Sequence, residues 1–413
     1  MTWIVPDWYQ RTPKEEMEGR IERLQALLRE NGVEAALIGD TVAEKVDLFY
    51  LSGTTQQAHL YVPAEGLPLL LVRKELERAR LDSPWERIVP FKSAGQLPDL
   101  LREQGYPLPA TLGLQLAKVP ARAFLDYRSS LGEPRVVDLS SLELLRSLRM
   151  LKSPHEVALI RRAARIVDTV LRSIDGALLQ EGMREIELAG RLEAIARREG
   201  HQGILRMDNL TQENLYGECL SGAEATISTF FDGPLGGWGL SPAMPQSAGF
   251  KPIRRGEPIV LDFVGVFNGY VADQTRMAVI GALPPRLARA YEATLEIQEA
   301  VIREVRPGAR SRELYALAQE QVQQRGYADH FMGYGERQVR FIGHGVGLTM
   351  DDLPVITSAK RFDLPLQPGM VIALEPKLVF PGEGAVGIED TLLVTQDGCE
   401  PLTFTGREVI AVA

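Results

Sequence analysis

Cysteine is nearly missing from this chain: Cys219 and Cys399 are the only two in 413 residues. Two thiols so far apart cannot build a disulfide framework or a zinc knuckle, and such usage fits a reducing compartment. Long apolar runs are missing too, since no uninterrupted stretch approaches the roughly 18 residues that a membrane-spanning helix needs. The opening MTWIVPDWYQRTPKEE has no basic segment followed by an apolar one, so it does not read as a signal peptide. These absences set the expectation of a cytoplasmic protein with no membrane partner. A basic stripe is lacking as well: 46 Lys and Arg stand against 55 Asp and Glu, a formal net charge of −9 with both signs interleaved. Such a surface does not neutralise a phosphate backbone, which argues against nucleic acid as a partner. With no low-complexity run and ordinary apolar content, the chain has the length for two or three domains of about 150 residues each.

Histidine is scarce, five in all, yet one of them, His344, stands between two glycines in GHGVGLTMDDLP and precedes two acids, Asp351 and Asp352. From the residues alone His344 is either a ligand or a turn residue.

Apolar residues recur at helical spacing over Glu15 to Glu30, and Asn31-Gly32 stops the pattern before the buried strand VEAALIG. Short apolar runs follow (LFYLSG, AHLYVP, LPLLLVR and RIVPF), interrupted by the charged, helix-like KELERARL. Strands alternating with helices to about Leu151 predict a compact α/β domain. At KSPHEVALIRRAA, Ser153, Pro154 and Glu156 form an S-x-x-E capping box with proline in the first turn, which predicts the start of a long helix. Further helical patterns around Ile186 to Arg198 and Arg286 to Val305 flank a Gly- and Pro-rich loop, FFDGPLGGWGLSPAMPQSAG. Beyond Arg340 strands and turns dominate, so residues 153–413 read as an α+β domain with an antiparallel sheet.

In PIVLDFVGVFNGYVADQTRMAVIG, Asn268-Gly269 joins two β-rich runs as a type I′ hairpin signal. If Phe267 pairs with Tyr270, then Val264 faces Asp273, Asp262 faces Thr275, and the two aspartates are diagonal neighbours on one face, roughly 7 Å apart at Cβ. Two acids on an apolar strand pair are costly to bury unless neutralised, which points to a cation; a solvated hairpin face is the alternative. A second pair, Glu375 and Glu389, flanks Pro381-Gly382-Glu383-Gly384. An odd loop puts these glutamates opposite each other; an even loop without a bulge puts them on opposite faces, as surface charges. Four carboxylates and one imidazole suit two divalent ions about 3.5 to 4 Å apart. Gly343 and Gly345 allow the backbone either to crowd such a site or to adopt positive φ.

The ordered set Asp262, Asp273, His344, Glu375 and Glu389 resembles the pita-bread metallohydrolases, the family of prolidase, aminopeptidase P, methionine aminopeptidase and the metal-free creatinase. LDFVGVFNGYVADQTR is similar to the family's D-x-G…N-G-Y-x-x-D-x-T-R element, GHGVGL to G-H-G-[IV]-G-L, ALEP to I-E-P, and GIED to R-I-E-[DN]. The resemblance implies a creatinase/prolidase-type α/β amino-terminal domain at 1–152 and a pita-bread α+β catalytic domain at 153–413. It implies Asp273 and Glu389 as bridging ligands, Asp262 as chelator of one ion, and His344 and Glu375 on the other, with Glu375 also the catalytic proton acceptor. Two divalent ions are expected, drawn from manganese, cobalt, zinc and iron. The implied activity is hydrolysis of a C–N bond in a small peptide, as in a Xaa-Pro dipeptidase or aminopeptidase P, by a homodimer.

Three departures qualify the substrate. The family's second histidine after G-H-G is Asp351, the upstream histidine position falls at Pro245-Gln246, and the arginine before the last ligand is Gly387. Asp351 or Asp352 then either recognises a cationic substrate group or is a solvated turn. Trp238 is a candidate lid contact or a packed loop residue, and Arg206 is a candidate replacement donor. The runner-up activity is a metal-dependent hydrolase of a small non-peptide amide or cyclic amidine, as in creatine- and ectoine-hydrolysing relatives. A non-catalytic interaction module is disfavoured, having no need of five intact ligands.

Overall fold

Every residue of β1 (Ala35–Ile38), the strand expected from VEAALIG, is buried. It follows α1 (Lys14–Glu30), whose Met17, Ile21, Leu24 and Leu28 are buried at helical spacing. The remaining elements of this half are α2 (Lys45–Ser52), β2 (Ala58–Pro63), β3 (Leu69–Val72), α3 (Leu76–Asp82), β4 (Ile88–Pro90), α4 (Leu97–Glu103), β5 (Thr111–Leu114), α5 (Ala121–Ser130), β6 (Arg135–Asp138) and α6 (Leu144–Met150). They form a mixed sheet ordered β4-β3-β2-β1-β5-β6. The short apolar run LFYLSG, left without an individual assignment by the sequence, closes α2, which is ended by Gly53 in the left-handed conformation at φ 75°. A run this short has no periodicity to separate strand from helix, and the glycine cap and ion pairing decide it. Asp47 of α2, buried, pairs with Lys118 at 2.9 Å and with Arg149.

The structure, a computed structural model, describes residues 4–413. The first three residues of the stretch read as lacking a signal peptide lie outside the described residues. Two compact units are present, one ending at Arg149 and the other running from Met150 to Ala413. Among the described residues no helix is long and apolar enough to cross a membrane.

In the second unit, α7 (Pro154–Arg172) begins with the expected capping box: Ser153 accepts from the Glu156 backbone, and the Glu156 side chain accepts from that of Ser153. After it come α8 (Glu185–Arg198), β7 (Gly217–Ser221), β8 (Ile259–Phe267), β9 (Tyr270–Ile280), α9 (Pro285–Glu304) and α10 (Ser311–Gln324). Helix α10 escaped the sequence reading because its buried apolar positions, Leu314, Ala318 and Val322, form a stripe one residue wide. The rest is strand: β10 (Phe341–Gly345), β11 (Asp352–Thr357), β12 (Val371–Leu374), β13 (Lys377–Phe380), β14 (Gly384–Gly387), β15 (Asp390–Val394), β16 (Cys399–Pro401) and β17 (Ile410–Val412). One sheet is ordered β17-β9-β8-β7, a second β11-β10-β12-β15-β16, and β13-β14 form a two-stranded ribbon. An apolar core including Ile297, Val301, Ile342, Ile372 and Leu392 lies among α9, α10 and the second sheet. Another, with Val167, Leu188, Leu192, Leu261 and Phe263, packs α7 and α8 on the first.

Candidate metal centre

The first acidic pair comes from the β8–β9 hairpin. Asn268 and Gly269 have φ of 47° and 86°, as a type I′ turn requires. The register runs Phe267↔Tyr270, Val264↔Asp273 and Asp262↔Thr275, so Asp262 and Asp273 share a face as the turn predicted. The second pair comes from an odd loop, Pro381 to Glu383, between β13 and β14: Phe380 pairs with Gly384 and Lys377 with Gly387. The same register continues in β12 and β15, where Leu374 pairs with Asp390, which sets Glu375 against Glu389. At that point the two chains change partners. The Glu375 N–H donates to Ile342 O at 2.9 Å and the Glu389 N–H to Thr275 O at 3.3 Å. Both glutamates therefore sit where the sheets meet.

His344 lies mid-strand in β10, paired to Val355 on one side and Ala373 on the other. Its flanking glycines serve close approach: a Cβ on Gly343 would lie 2.5 Å from Ala373 O, and one on Gly345 2.2 Å from Leu353 O. The imidazole Nε2 is 3.5 Å from Glu375 Oε1, 3.8 Å from Glu389 Oε1 and 4.0 Å from Asp273 Oδ2.

Around these side chains the protein supplies fixed support. Thr275 donates its hydroxyl to Glu389 Oε2 at 2.8 Å, and Thr391 bridges the backbone N–H and C=O of Asp273. Arg276, fully buried, donates to Glu389 O at 2.8 Å and pairs with Asp390 at 2.7 Å, tying β9 to β15. Burial, then Asp262, pushes the Asp273 carboxyl well above the usual range; burial, then Asp273, does the same to Glu389. Carboxylates so crowded need a cation if all are to stay ionised.

Two sets of donor atoms converge within 4.8 Å: Asp273, His344 and Glu389, and Asp262, Glu375 and Glu389. In the first set Glu389 Oε1 is buried and accepts no hydrogen bond among the described residues, as expected of a donor kept for an ion. The second set is different. Lys377 Nζ stands 2.6 Å from Glu375 Oε2 and 3.2 Å from both Asp262 Oδ2 and Glu389 Oε2. Burial acts to lower the lysine pKa, but Asp262, Glu375 and Glu389 outweigh it and hold the group well above its usual range.

Residues 158–396 match metallopeptidase family M24, and residues 20–151 match the creatinase/prolidase N-terminal domain. The chain belongs to metallopeptidase family M24. Among its M24 relatives, a Xaa-Pro dipeptidase of Pyrococcus furiosus is 29% identical over 400 residues, covering 95% of this chain and 100% of that protein. A solved dipeptidase of Pyrococcus horikoshii is 28% identical with a TM-score of 0.74, covering 95% of this chain and 99% of that one. An X-Pro aminopeptidase of Thermotoga maritima, 24% identical with a TM-score of 0.78 over 95% of this chain and 99% of its own, shares the fold. The chain thus combines a creatinase-type α/β domain with the pita-bread catalytic architecture.

The four substrate-side residues named from the sequence lie apart in character. Asp351 accepts from the backbone N–H of Asp208 at 2.6 Å and of Asn209 at 2.8 Å, anchoring that loop. Asp352 is fully buried and 3.7 Å from Lys152 Nζ, so it is no solvated turn. Trp238 is exposed, and Arg206 accepts through its carbonyl from Met350 N at 3.0 Å. Sequence reading passed over Lys377, although strand alternation places it on the face of Glu375, two residues before it. It also passed over Glu218, which pairs with Asp262 across β7 and β8. Burial, with Asp262 adding, pushes the Glu218 carboxyl up to about 8, against relief from Lys377 and Gln246.

Proposed function

We propose that this protein is a metal-dependent hydrolase of the amide bond preceding proline, a Xaa-Pro dipeptidase-like metallopeptidase of residues 1–152 and 153–413 acting as amino-terminal and catalytic domains. The observation that carries this reading is the convergence of one imidazole and four carboxylates, from β8, β9, β10 and the β12–β15 hairpin, on one buried point. The names of the relatives support the substrate class. Asp262, Asp273, His344, Glu375 and Glu389 are the proposed ligands, and manganese is the proposed ion, with cobalt, zinc and iron as substitutes. A bound divalent ion supplies Lewis acidity at the scissile carbonyl and lowers the pKa of water. Glu375 is the proposed proton acceptor: its Oε2 is held by Lys377, while Oε1 stays open toward His344. A homodimer in the cytoplasm belongs to the same reading.

The test is hydrolysis of Ala-Pro and Gly-Pro by the purified chain. Activity should disappear with a chelator and return with Mn2+ or Co2+; a metal-loaded protein that leaves both dipeptides intact excludes the Xaa-Pro substrate.

The Gln246–Glu218 pair favours a second reading. Where peptidase relatives are expected to place a cationic or neutral histidine, this site presents a carboxamide turned onto a buried carboxyl, with Glu218 Oε1 accepting no hydrogen bond among the described residues. A small non-peptide amide bearing its own N–H donor suits that acceptor. Turnover of N-acetyl-diaminobutyrate or ectoine, with none of Ala-Pro, would select this reading.

A further inference from the structure

We infer that the ammonium of Lys377 permanently occupies one of the two cation positions, so that this centre takes a single divalent ion, held by Asp273, His344 and Glu389. The inference rests on the metal-centre reading above and narrows it.

An ammonium has three donors and no acceptor. Lys377 Nζ has three carboxylate partners, Glu375 Oε2 at 2.6 Å, Asp262 Oδ2 at 3.2 Å and Glu389 Oε2 at 3.2 Å. Those three residues are the ones whose oxygens otherwise converge as an ion site. The lysine therefore stands where an ion would stand, and its charge opposes the entry of a second cation into the same nest.

Two further observations separate this from a side chain that merely passes by. Lys377 is 1% exposed and lies in a strand buried along its whole length, so its stem is fixed by packing and its ammonium is directed into the carboxylate nest. Across the ribbon it faces Gly387, where any Cβ would lie 2.4 Å from Lys377 Cγ and 3.0 Å from its Cβ. The stem needs a glycine opposite, and it has one. The second observation is the division of Glu389. Its Oε2 accepts from Thr275 Oγ1 at 2.8 Å and from Lys377, while its Oε1 accepts no hydrogen bond among the described residues and faces His344 Nε2 at 3.8 Å. One oxygen belongs to the fixed cation and the other is left for an exchangeable one.

The experiment is Mn2+ binding to the full-length chain after chelator dialysis, read by metal analysis at equilibrium and by electron paramagnetic resonance. The expected result is about one Mn2+ per chain with the six-line spectrum of an isolated ion, and about two per chain with an exchange-coupled spectrum in Lys377→Met. Two ions per wild-type chain with a coupled spectrum would overturn the inference and leave the metallopeptidase reading intact. No Mn2+ or Zn2+ bound to wild type would overturn both. The wild-type measurement stands whether or not the variant folds; a folded Lys377→Met that still takes one ion would equally overturn the assignment.

Discussion

Replacing Glu375 with Gln keeps its volume and removes the proposed proton acceptor, so kcat on the identified substrate should fall by at least about 100-fold while far-ultraviolet circular dichroism stays unchanged. Full activity in that variant would move proton transfer to another group. Gly387 is held by packing: Gly387→Ala brings a methyl group 2.4 Å from Lys377 Cγ. The stem or the ribbon must shift, and overpacking of that kind costs about 1–3 kcal/mol, measurable by urea denaturation. Of the candidate ligands, Asp262 and Asp273 were legible as a pair from the residues themselves because turn chemistry and strand alternation fix which face an acid occupies, whereas His344, Glu375 and Glu389 joined them only through the motifs that resemble a family. Lys377 was equally available from alternation, yet its meaning was not, since a lysine two residues from a glutamate is an ordinary surface pattern until both are buried.

Among the elements, the hairpins carry the site. Asn268 holds φ of 47° in the β8–β9 turn, and that turn sets the register placing Asp262 and Asp273 together. A β-branched residue there pays the left-handed penalty, so Asn268→Val should lose about 1–2 kcal/mol in chemical denaturation and weaken Mn2+ binding in parallel. An unchanged affinity would show that the sheet, rather than the turn, enforces the register. Ser153 begins α7 with a complete capping box, and Ser153→Ala should cost about 1 kcal/mol. Both motifs were readable because each consists of adjacent residues. The second hairpin was not: its odd loop could be stated as a condition but chosen only by the pairing of β13 with β14. Helix α2 was not resolved because eight residues hold too little pattern, and α10 was passed over because its apolar stripe is narrow.

At the scale of the molecule, each unit has its own buried titratable groups. His59 of β2 is 4% exposed, and its ring shares a 2.7 Å hydrogen bond with Tyr127 Oη. Burial lowers its pKa to about 4, with Asp40 opposing and Arg73 assisting. Because the unfolded chain binds this proton with a pKa near 6.5, the unfolded state gains protons first as pH falls. The stabilisation is complete above about 6.5 and is lost toward pH 4, by roughly 3 kcal/mol from His59 alone. Glu44 in the same unit works the other way: burial raises its pKa to about 7, so its contribution is present at acid pH and declines as pH rises through that value. The difference between wild type and His59→Phe isolates the histidine. Hydrogen exchange of the strand Ala58–Pro63 should show the wild type losing protection between pH 6.5 and 4 relative to the variant; parallel profiles would remove His59 as the cause.

By itself the sequence determined the α/β and α+β halves, the capped start of α7 and the first hairpin's register, because these follow from short-range periodicity and turn residues, and it brought the five candidate ligands into one set through motifs that resemble a family. Tertiary structure decided what surrounds them. That Lys377 fills one half of the nest, that Glu218 adjoins Asp262, that Asp351 is tied to a loop and that Asp352 is buried all depend on segments brought together across dozens of residues. Coulomb energy and desolvation act through space, and a linear sequence does not record which charges will be neighbours in a medium without water.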